Sequence, residues 1–304
     1  MKLRDLIIAI ALMCLWGLNF SVIKLGADQI NPVLLTAMRF IFAVFPAIFF
    51  IARPNVSLKY LVAYGLSFGV GVWGMMTWSI TLGLSAGMAG VLLQLSMVFG
   101  LLLGWLYLKE TIQPQKKLGA MLALAGLAMS FMLQDGSVPP SALIFALIAG
   151  FSWSLTALIV KLSKTTQVFA FSVWGMLFAP VPLLFLAWVS HGSEVFIQLP
   201  QQMNGTVWFS ILFQAYPTTL LGYWIWNKMV LKYPLSTTSL LTTLVPVFGI
   251  LGSVVFYDEQ LGATKLVACL LILSGLLVSQ IQWSQLAAIL RVKNRLRKRA
   301  TTSS

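Results

Sequence analysis

The sequence predicts an all-α integral membrane protein. Of its 304 residues, 59% are hydrophobic and only 9% are charged, and its mean hydropathy is +0.92. A soluble domain could not bury that much apolar surface. Apolar runs of about 20 residues recur along the whole length, and each is long enough to cross a hydrocarbon core roughly 30 Å thick. The bilayer is therefore the solvent in which this chain folds.

Ten apolar runs are predicted to form transmembrane helices, separated by short turns except for a longer loop at 191–205. Proline marks several turns, as at Asn31-Pro32 and Pro139-Pro140, because it is tolerated at helix starts and not in helix interiors. The predicted spans are residues 5–26, 32–52, 59–81, 86–108, 115–133, 141–161, 168–190, 206–231, 235–256 and 263–283.

The distribution of lysine and arginine predicts which way these spans run, because cytoplasmic loops carry the excess of both residues. Counted in alternate loops and at both termini, 17 of the 20 basic residues fall on one side. Lys265 falls on the other side, and Lys24 and Arg39 lie within spans. Both termini are therefore predicted to be cytoplasmic.

The net charge of +13 comes from the same basic residues that predict the orientation of the spans. The basic residues stand in short clusters between apolar runs, not along one helical face with interleaved aromatic residues, so no nucleic-acid partner is expected. Residues 284–304 form a basic cytoplasmic tail, which either anchors the topology or contacts anionic lipid. The two cysteines, Cys14 and Cys269, lie in separate apolar runs and predict no disulfide framework.

An internal repeat divides the chain. Shifting the sequence by 149 residues superposes Gly126-Leu127 on Gly275-Leu276. The same shift superposes Leu92, Leu95, Val98, Phe99, Gly100, Leu102 and Glu110 on Leu241, Leu244, Val247, Phe248, Gly249, Leu251 and Glu259. Two five-helix repeats are predicted, residues 1–135 and 136–283, and the odd number of crossings in each makes them inverted. Inverted repeats are typical of alternating-access transporters, whose substrate site lies near the midplane between the repeats.

Arg39 is the leading candidate for a substrate contact, because an ionisable group inside the membrane is costly and usually faces the bundle interior or a wet cavity. Its guanidinium can bind a substrate carboxylate through two parallel hydrogen bonds. It can instead bond Asn19 and backbone carbonyls, or extend towards the membrane surface. Counted inward from the span ends, Asn19 and Arg39 reach the same depth, about two-thirds of the way across from the cytoplasm, so the two side chains can meet.

Aromatic and polar side chains in other spans are candidates for the same cavity between the repeats. They can serve instead as interfacial belt, packing or interhelical hydrogen-bonding residues. The predicted substrate-binding residues are Arg39, Gln94, Asn19, Trp16, Trp73, Trp153, Tyr216, Tyr223 and Thr243, the last being the repeat counterpart of Gln94. Further hydrogen-bonding candidates are Ser96, Ser154, Thr219 and Asn227.

The sequence gives little support for an enzyme or for a pump driven by a carboxylate proton relay. The segment 83–87, Gly-Leu-Ser-Ala-Gly, matches the nucleophile-elbow pattern, but it joins two predicted helices and only His191 can act as its base. No span carries an acidic residue near its centre, so a carboxylate proton relay lacks its parts and facilitated efflux or exchange is favoured. Coupling through Glu110, Asp258 or Glu259 at helix ends stays open. The sequence has no metal-binding or ATP-binding motif, and no cofactor is expected.

Several short segments resemble the EamA branch of the drug/metabolite transporter superfamily, and the resemblance covers nearly the whole chain. The segments are Leu15-Trp16-Gly17-Leu18-Asn19-Phe20 through Lys24, Arg39-Phe40, Phe45-Pro46-Ala47-Ile48-Phe49-Phe50 with Ala52-Arg53-Pro54, and Asp258-Glu259 ahead of Gly275-Leu276. One departure is Lys109 before Glu110, where the family usually ends its fourth helix with a Gly-Glu pair.

The resemblance implies ten helices in two EamA repeats, forming a carrier that exports small polar metabolites across a bacterial inner membrane. Within the branch, the first sixty residues look most like exporters of O-acetylserine and cysteine, so amino acids of that kind are the expected substrates. Aromatic or other amphiphilic compounds are the alternative in the same fold. A passive channel is disfavoured, because it would display rings of charge or carbonyls around a pore. Apart from its small-molecule substrate and the lipid bilayer, no obligate partner is expected.

Overall fold

The computed structural model describes residues 1–109, 111–233 and 241–280, and every regular element within them is a helix. Ten helical segments, labelled α1 to α10, overlap the ten predicted spans, with α9 covering only the second part of its span. They are α1 Leu3–Ala27, α2 Pro32–Phe49, α3 Leu58–Thr81, α4 Ala86–Leu108, α5 Pro114–Ser130, α6 Pro140–Ser163, α7 Val168–His191, α8 residues 205–232, α9 Leu244–Tyr257 and α10 Ala263–Gln280. A short helix, Glu194–Gln202, lies between α7 and α8.

Seven of these segments, α1 to α4, α6, α7 and α10, are long and apolar enough to cross a membrane. The 14 residues of α9 rise about 21 Å, less than the roughly 30 Å of a hydrocarbon core. Residues 235–240 of the ninth predicted span, the tail 284–304 and Glu110 lie outside the described residues. Ten spans and cytoplasmic termini therefore stay predictions, supported in part by the seven long helices.

Three helix starts carry side-chain caps. Asn31 Oδ1 accepts hydrogen bonds from the backbone N–H groups of Val33 and Leu34, at 3.0 and 3.1 Å, at the start of α2. Ser85 Oγ accepts from Met88 N at 3.1 Å at the start of α4, and Asn204 caps α8 in the same way. A side-chain oxygen at this position satisfies N–H groups that have no partner within the helix. The caps fix where each of these helices begins.

The two ends of the helix bundle carry opposite charge. At one end, the start of α1 meets the end of α8, where Lys232 Nζ lies 2.5 Å from Asp5 Oδ2. This end, called the basic end here, holds Lys2, Arg4, Lys109, Lys161, Lys164 and Lys232. The other end, called the acidic end, holds Asp28, Asp135, Asp258 and Glu259 together with Lys265. The asymmetry agrees with the loop charges from which the orientation is predicted.

Close backbone contacts join the two repeats. A Cβ atom added to Gly119 of α5 would lie 2.4 Å from the carbonyl oxygen of Gly275 of α10, and one added to Gly126 would lie 2.7 Å from Ala268 O. Gly17 of α1 approaches α9 equally closely. Small residues of this kind allow helices to pack backbone to backbone in a membrane. The last helices of the two repeats, α5 and α10, therefore form one tight pair.

Two helices widen into π-helical turns. Residues Leu66–Gly74 of α3 and Gln214–Leu221 of α8 have this geometry. The 149-residue shift carries 66–74 onto 215–223, so the two turns occupy the same place in the two repeats. π-helical turns are rare and often lie at functional sites. The apolar pattern of the sequence predicts both helices but not this shared irregularity.

Candidate functional site

A cavity of about 190 Å³ lies between the two repeats. This is roughly the volume that six water molecules take up in the liquid, enough for a small solute. Its wall is built from α1, α2, α3, α4, α6, α8 and the start of α9. The lining residues are Trp16, Asn19, Phe20, Arg39, Trp73, Gly90, Leu93, Gln94, Ser96, Trp153, Thr218, Tyr223, Trp226, Thr242 and Val245.

Seven of the nine predicted substrate-binding residues line this cavity. They are Arg39, Gln94, Asn19, Trp16, Trp73, Trp153 and Tyr223. Tyr216 lies elsewhere, in a surface hollow with Phe169 and Trp224. Thr243 is not among the lining residues, and its neighbour Thr242 takes that place. Thr243 directly precedes α9, which begins at Leu244.

Arg39 is buried to 1% exposure in α2. Its Nε and Nη2 donate to Thr219 Oγ1 of α8, at 3.2 and 2.9 Å. Its guanidinium carbon lies 4.0 Å from the centre of the Trp73 ring, a cation–π contact. Of the alternatives to substrate binding, neither a bond to Asn19 nor extension towards the membrane surface is seen among the described residues. Arg39 instead crosses from the first repeat to a hydroxyl of the second.

Thr219 owes its position to the π-helical turn of α8. Both Thr218 Oγ1 and Thr219 Oγ1 donate to the carbonyl oxygen of Gln214, at 2.6 and 2.7 Å. Because the Thr219 hydroxyl proton is used in this bond, its oxygen is left to accept from Arg39. Thr219 is fully buried. The sequence leaves open whether Thr219 contacts substrate or bonds between helices, and the structure shows an interhelical bond to Arg39.

Three buried polar atoms of the cavity residues have no hydrogen-bond partner among the described residues. They are Asn19 Oδ1, Arg39 Nη1 and Trp73 Nε1. Buried polar groups are nearly always paired, and leaving a charged one unpaired costs several kcal/mol, about 3–5 when a partner is lost. Their concentration around one cavity indicates a site that is completed by a polar molecule.

Arg39 is the charged residue of the cavity wall, and no carboxylate contacts it within the described part of the chain. A guanidinium buried without a counter-ion attracts an anion strongly, because little solvent screens it. The cavity therefore suits a molecule with at least one negative group.

Aromatic rings form much of the remaining wall. The Trp16 ring centre lies 5.5 Å from that of Tyr223 and 5.6 Å from that of Trp226. Across the cavity, Trp73 and Trp153 meet with ring centres 6.3 Å apart. Trp16 Nε1 donates to Thr218 O at 2.9 Å, which fixes its ring. Such faces pack against apolar groups and also attract cations.

The cavity continues towards the basic end of the bundle. A groove shares Gln94, Ser96, Trp153 and Thr242 with the cavity. From there it runs between α4 and α6 to Leu108 and Lys161. Towards the acidic end, Leu84, Ala86 and Met88 are almost fully buried. The cavity is thus continuous with a groove that reaches the basic end, while these residues around the start of α4, on its acidic side, are packed away from solvent.

A serine hydrolase would need Ser85 and His191 within hydrogen-bond distance of each other. In the structure, each of them has a different hydrogen-bond partner. Ser85 Oγ donates to Glu259 Oε1 at 2.7 Å and caps α4. His191 Nδ1 pairs with Ser190 Oγ at 2.8 Å at the end of α7. The segment 83–87 connects α3 to the start of α4.

Phe20, Thr218 and Thr242 line the cavity and were not predicted from the sequence. Phe20 belongs to the predicted first helix and follows Asn19 directly, but an apolar residue in an apolar run carries no signal of its own. Thr218 and Thr242 lie beside Thr219 and Thr243, so the right segments were found with the wrong register.

Comparison with known proteins agrees with this architecture. A protein of Salmonella typhimurium named "Probable amino-acid metabolite efflux pump" is 32% identical, over 92% of this chain and 95% of its own length. An Escherichia coli protein of the same name is 30% identical with the same coverage. A solved crystal structure of a protein with 18% sequence identity has the same fold, with a TM-score of 0.57 over 92% of this chain and 98% of its own.

The family assignment rests on two successive matches. The profile of the EamA-like transporter family matches residues 4–132 and, a second time, residues 140–280. Each match contains one of the two sets of five helices, which agrees with the internal repeat. The chain belongs to the EamA-like transporter family.

Proposed function

We propose that the protein is an inner-membrane carrier that exports amino acids or closely related metabolites by alternating access. The observation that carries this proposal is Arg39, which is buried, charged and left with an unpaired Nη1 in the cavity. A substrate carboxylate supplies the missing counter-ion. Export of O-acetylserine and cysteine is the specific form expected from the family resemblance.

The cavity can accept both ends of an amino acid. The carboxylate meets Arg39 Nη1, and Trp73 Nε1 is a second unpaired donor nearby. For the ammonium group, the wall provides Asn19 Oδ1 and the faces of Trp16 and Tyr223, and a desolvated cation–π contact is worth about 2 kcal/mol. A zwitterion thus supplies hydrogen-bond partners for the polar atoms of the cavity wall that have none among the described residues.

The relatives support the same substrate class, because both similar proteins are named as amino-acid metabolite efflux pumps. The positive-inside pattern supports the direction of opening. With the basic end in the cytoplasm, the groove between α4 and α6 lets substrate enter from the cytoplasm, while the acidic end is closed. This arrangement is the inward-open state of the proposed cycle, in which the two inverted repeats rock against each other.

The aromatic wall favours a second candidate substrate class. Five aromatic residues line the cavity in addition to Phe20: Trp16, Trp73, Trp153, Tyr223 and Trp226. Such a wall also suits aromatic amino acids and amphiphilic compounds. Tryptophan and phenylalanine therefore belong in the first substrate panel beside cysteine and O-acetylserine.

The test is counterflow in proteoliposomes. Vesicles loaded with unlabelled cysteine are expected to accumulate labelled cysteine transiently, which a saturable carrier does and a channel does not. O-acetylserine, tryptophan and phenylalanine are tested as competitors. Absence of counterflow with every compound, in protein shown to be folded, would refute the proposed function.

The role of Arg39 is tested with competitors that lack the carboxylate. In the wild-type protein, cysteine methyl ester and cysteamine are expected to compete roughly tenfold or more weakly than cysteine, because a hydrogen bond to a charged group is worth about 1.5–3 kcal/mol. In Arg39→Gln that difference is expected to vanish. Lys24→Met, which removes a cation near the acidic end of α1, is the matched control and should keep the wild-type preference.

A further inference from the structure

A cluster of charged and hydroxyl groups closes the acidic end of the bundle. Lys265 Nζ lies 2.6 Å from Asp135 Oδ2 and 3.0 Å from Glu259 Oε1. Ser85 Oγ donates to the same Glu259 oxygen at 2.7 Å, and Ser253 Oγ donates to the other. These five residues, Ser85, Asp135, Ser253, Glu259 and Lys265, are called the acidic-end cluster.

Two of the three charged side chains of the cluster are well buried. The Lys265 side chain is 3% exposed and that of Glu259 is 10% exposed, whereas that of Asp135 is 36% exposed. Burial by itself would raise the pKa of Asp135, but the hydrogen bonds from Lys265 and Ser137 lower it below its ordinary value. Lys265 is therefore the shared partner of both carboxylates.

The cluster joins parts of the chain that belong to different repeats. Ser85 caps α4 in the first repeat, and Glu259 and Lys265 lie at the end of α9 and the start of α10 in the second. Asp135 stands in the connection between the repeats, where the backbone of Ser137 also accepts from Ser85 N at 2.9 Å. Contacts of this kind break if the two repeats part at this end.

Only a thin layer separates the cluster from the cavity. Ser85 precedes Gly90, a cavity-lining residue of α4, by five residues, or about 7.5 Å of helix. The other end of the same helix borders the open groove, at Leu108. The helix α4 thus lines the cavity, borders the groove at the basic end and is bonded to the cluster at the acidic end.

We propose that the acidic-end cluster is an inter-repeat latch that holds the transporter closed on that side, and that it must open for substrate to leave. This inference rests on the proposed alternating-access function. An ionic latch suits a gate that reopens, because water can solvate all three charges once the repeats separate. Weakening it shifts the population towards the state that is open at the acidic end.

Cys269 is a natural reporter for this opening. It lies one helical turn after Lys265 in α10, is 3% exposed, and its Sγ lies 3.6 Å from Met88 Sδ of α4. Parting α4 from α10 at the acidic end exposes this thiol. In a Cys14→Ser background, Cys269 is the one cysteine left in the chain.

The experiment measures the rate at which a membrane-impermeant maleimide labels Cys269, added to the outside of intact cells. We expect Lys265→Met and Glu259→Gln to raise this rate about tenfold or more, which needs only 1.4 kcal/mol of shift between closed and open states. Lys265→Arg keeps the charge and is expected to label slowly, like the parent. Glu194→Gln is the matched control, since it removes an exposed carboxylate of the short helix Glu194–Gln202, outside the cluster.

An unchanged rate in either folded neutral variant would overturn the latch. A rise that is equal in inside-out vesicles would overturn it as well, because it would indicate general loosening. If Lys265→Met does not fold, the isosteric Glu259→Gln decides alone. Labelling is measured without substrate, so it reports on the latch even where the counterflow assay finds no transport.

Discussion

At the scale of single residues, Arg39 is held along one edge and open along the other. Thr219 Oγ1 accepts from both Nε and Nη2. These two donors form the edge that most often grips a carboxylate through two parallel bonds. With that edge occupied by Thr219, the proposed substrate carboxylate is left the opposite edge of the guanidinium, where Nη1 has no partner among the described residues.

Thr219→Val tests whether this restraint orients the arginine for substrate. The change keeps the shape of the side chain but leaves two buried guanidinium donors without an acceptor, a loss of about 1–3 kcal/mol. We expect the KM for a carboxylate substrate in counterflow to rise roughly tenfold, and the preference for cysteine over its methyl ester to shrink. Thr219→Ser retains the hydroxyl and is expected to restore both values.

Thr36→Val is the matched control for that experiment. Thr36 is equally buried in α2, one turn before Arg39, and its hydroxyl donates only to Pro32 O at 2.9 Å. Its loss should leave the KM unchanged. An equal rise in KM for Thr36→Val and Thr219→Val would show that packing, not orientation of Arg39, is responsible.

The sequence predicts that Arg39 and Asn19 lie at the same level of the bundle, because that level follows from counting residues along each helix, and both residues line the cavity. It cannot supply the partner of Arg39, since Thr219 lies 180 residues away on another helix. Helix rotation is a further limit. One residue turns a side chain by about 100°, so the choice between Thr242 and Thr243 depends on the start of α9.

At the scale of helices, irregular turns shape the cavity. The π-helical turns of α3 and α8 occupy matching places in the two repeats, and they carry Trp73 in one case and Thr218 in the other. An ordinary α-helix hydrogen-bonds each carbonyl to the N–H four residues on. The π geometry instead brings the Thr219 hydroxyl to Gln214 O, five residues back. The apolar periodicity of the sequence predicts both helices. It does not reveal the π-helical turns, because one inserted residue changes the periodicity too little to be detected.

Gly119→Ala tests the tight pairing of α5 with α10. The added Cβ would lie 2.4 Å from Gly275 O and 2.8 Å from Ser279 Cβ, closer than atoms can approach, so the helices must separate. Overpacking of this kind costs about 1–3 kcal/mol, and we expect a lower melting temperature in detergent.

Gly205→Ala is the matched control for the helix pair. No atom lies within 4 Å of a Cβ added at Gly205, at the start of α8, within the described part of the chain. The same substitution there should leave the melting temperature within about a degree or two of wild type, as surface changes usually contribute less than 0.5 kcal/mol. Equal melting temperatures for the two variants would contradict the close packing of α5 and α10.

At the scale of the whole molecule, the two ends of the helix bundle differ both in their charge and in their access to the cavity. The basic end holds the open groove, and the acidic end holds the ionic cluster. The sequence predicts the two repeats and the two charged ends, because these depend on long-range composition. Which end is open is a property of packing in one state of the molecule, and no pattern of residues predicts it.

The number of membrane crossings is the prediction that tests the whole architecture. Three helices, α5, α8 and α9, are not among the seven that are long and apolar enough by themselves, and α8 and α9 both lie in the second repeat. If α8 and α9 nevertheless cross, four positions must alternate in side: Lys164 after α6, Ser193 after α7, Lys232 after α8 and Gly262 after α9. In a Cys14→Ser, Cys269→Ser background, an impermeant maleimide is expected to label Lys164→Cys and Lys232→Cys only in inside-out vesicles, and Ser193→Cys and Gly262→Cys only in intact cells.

Each departure from this alternation has a distinct meaning. If Gly262→Cys labels on the same side as Lys232→Cys, α9 does not cross. If Lys232→Cys labels on the same side as Ser193→Cys, α8 does not cross. Either result leaves the second repeat with four crossings, an even number, so the first and second repeats could not be inverted copies with both termini in the cytoplasm. The rocking mechanism would lose its symmetry, and the cavity around Arg39 would need a different gate.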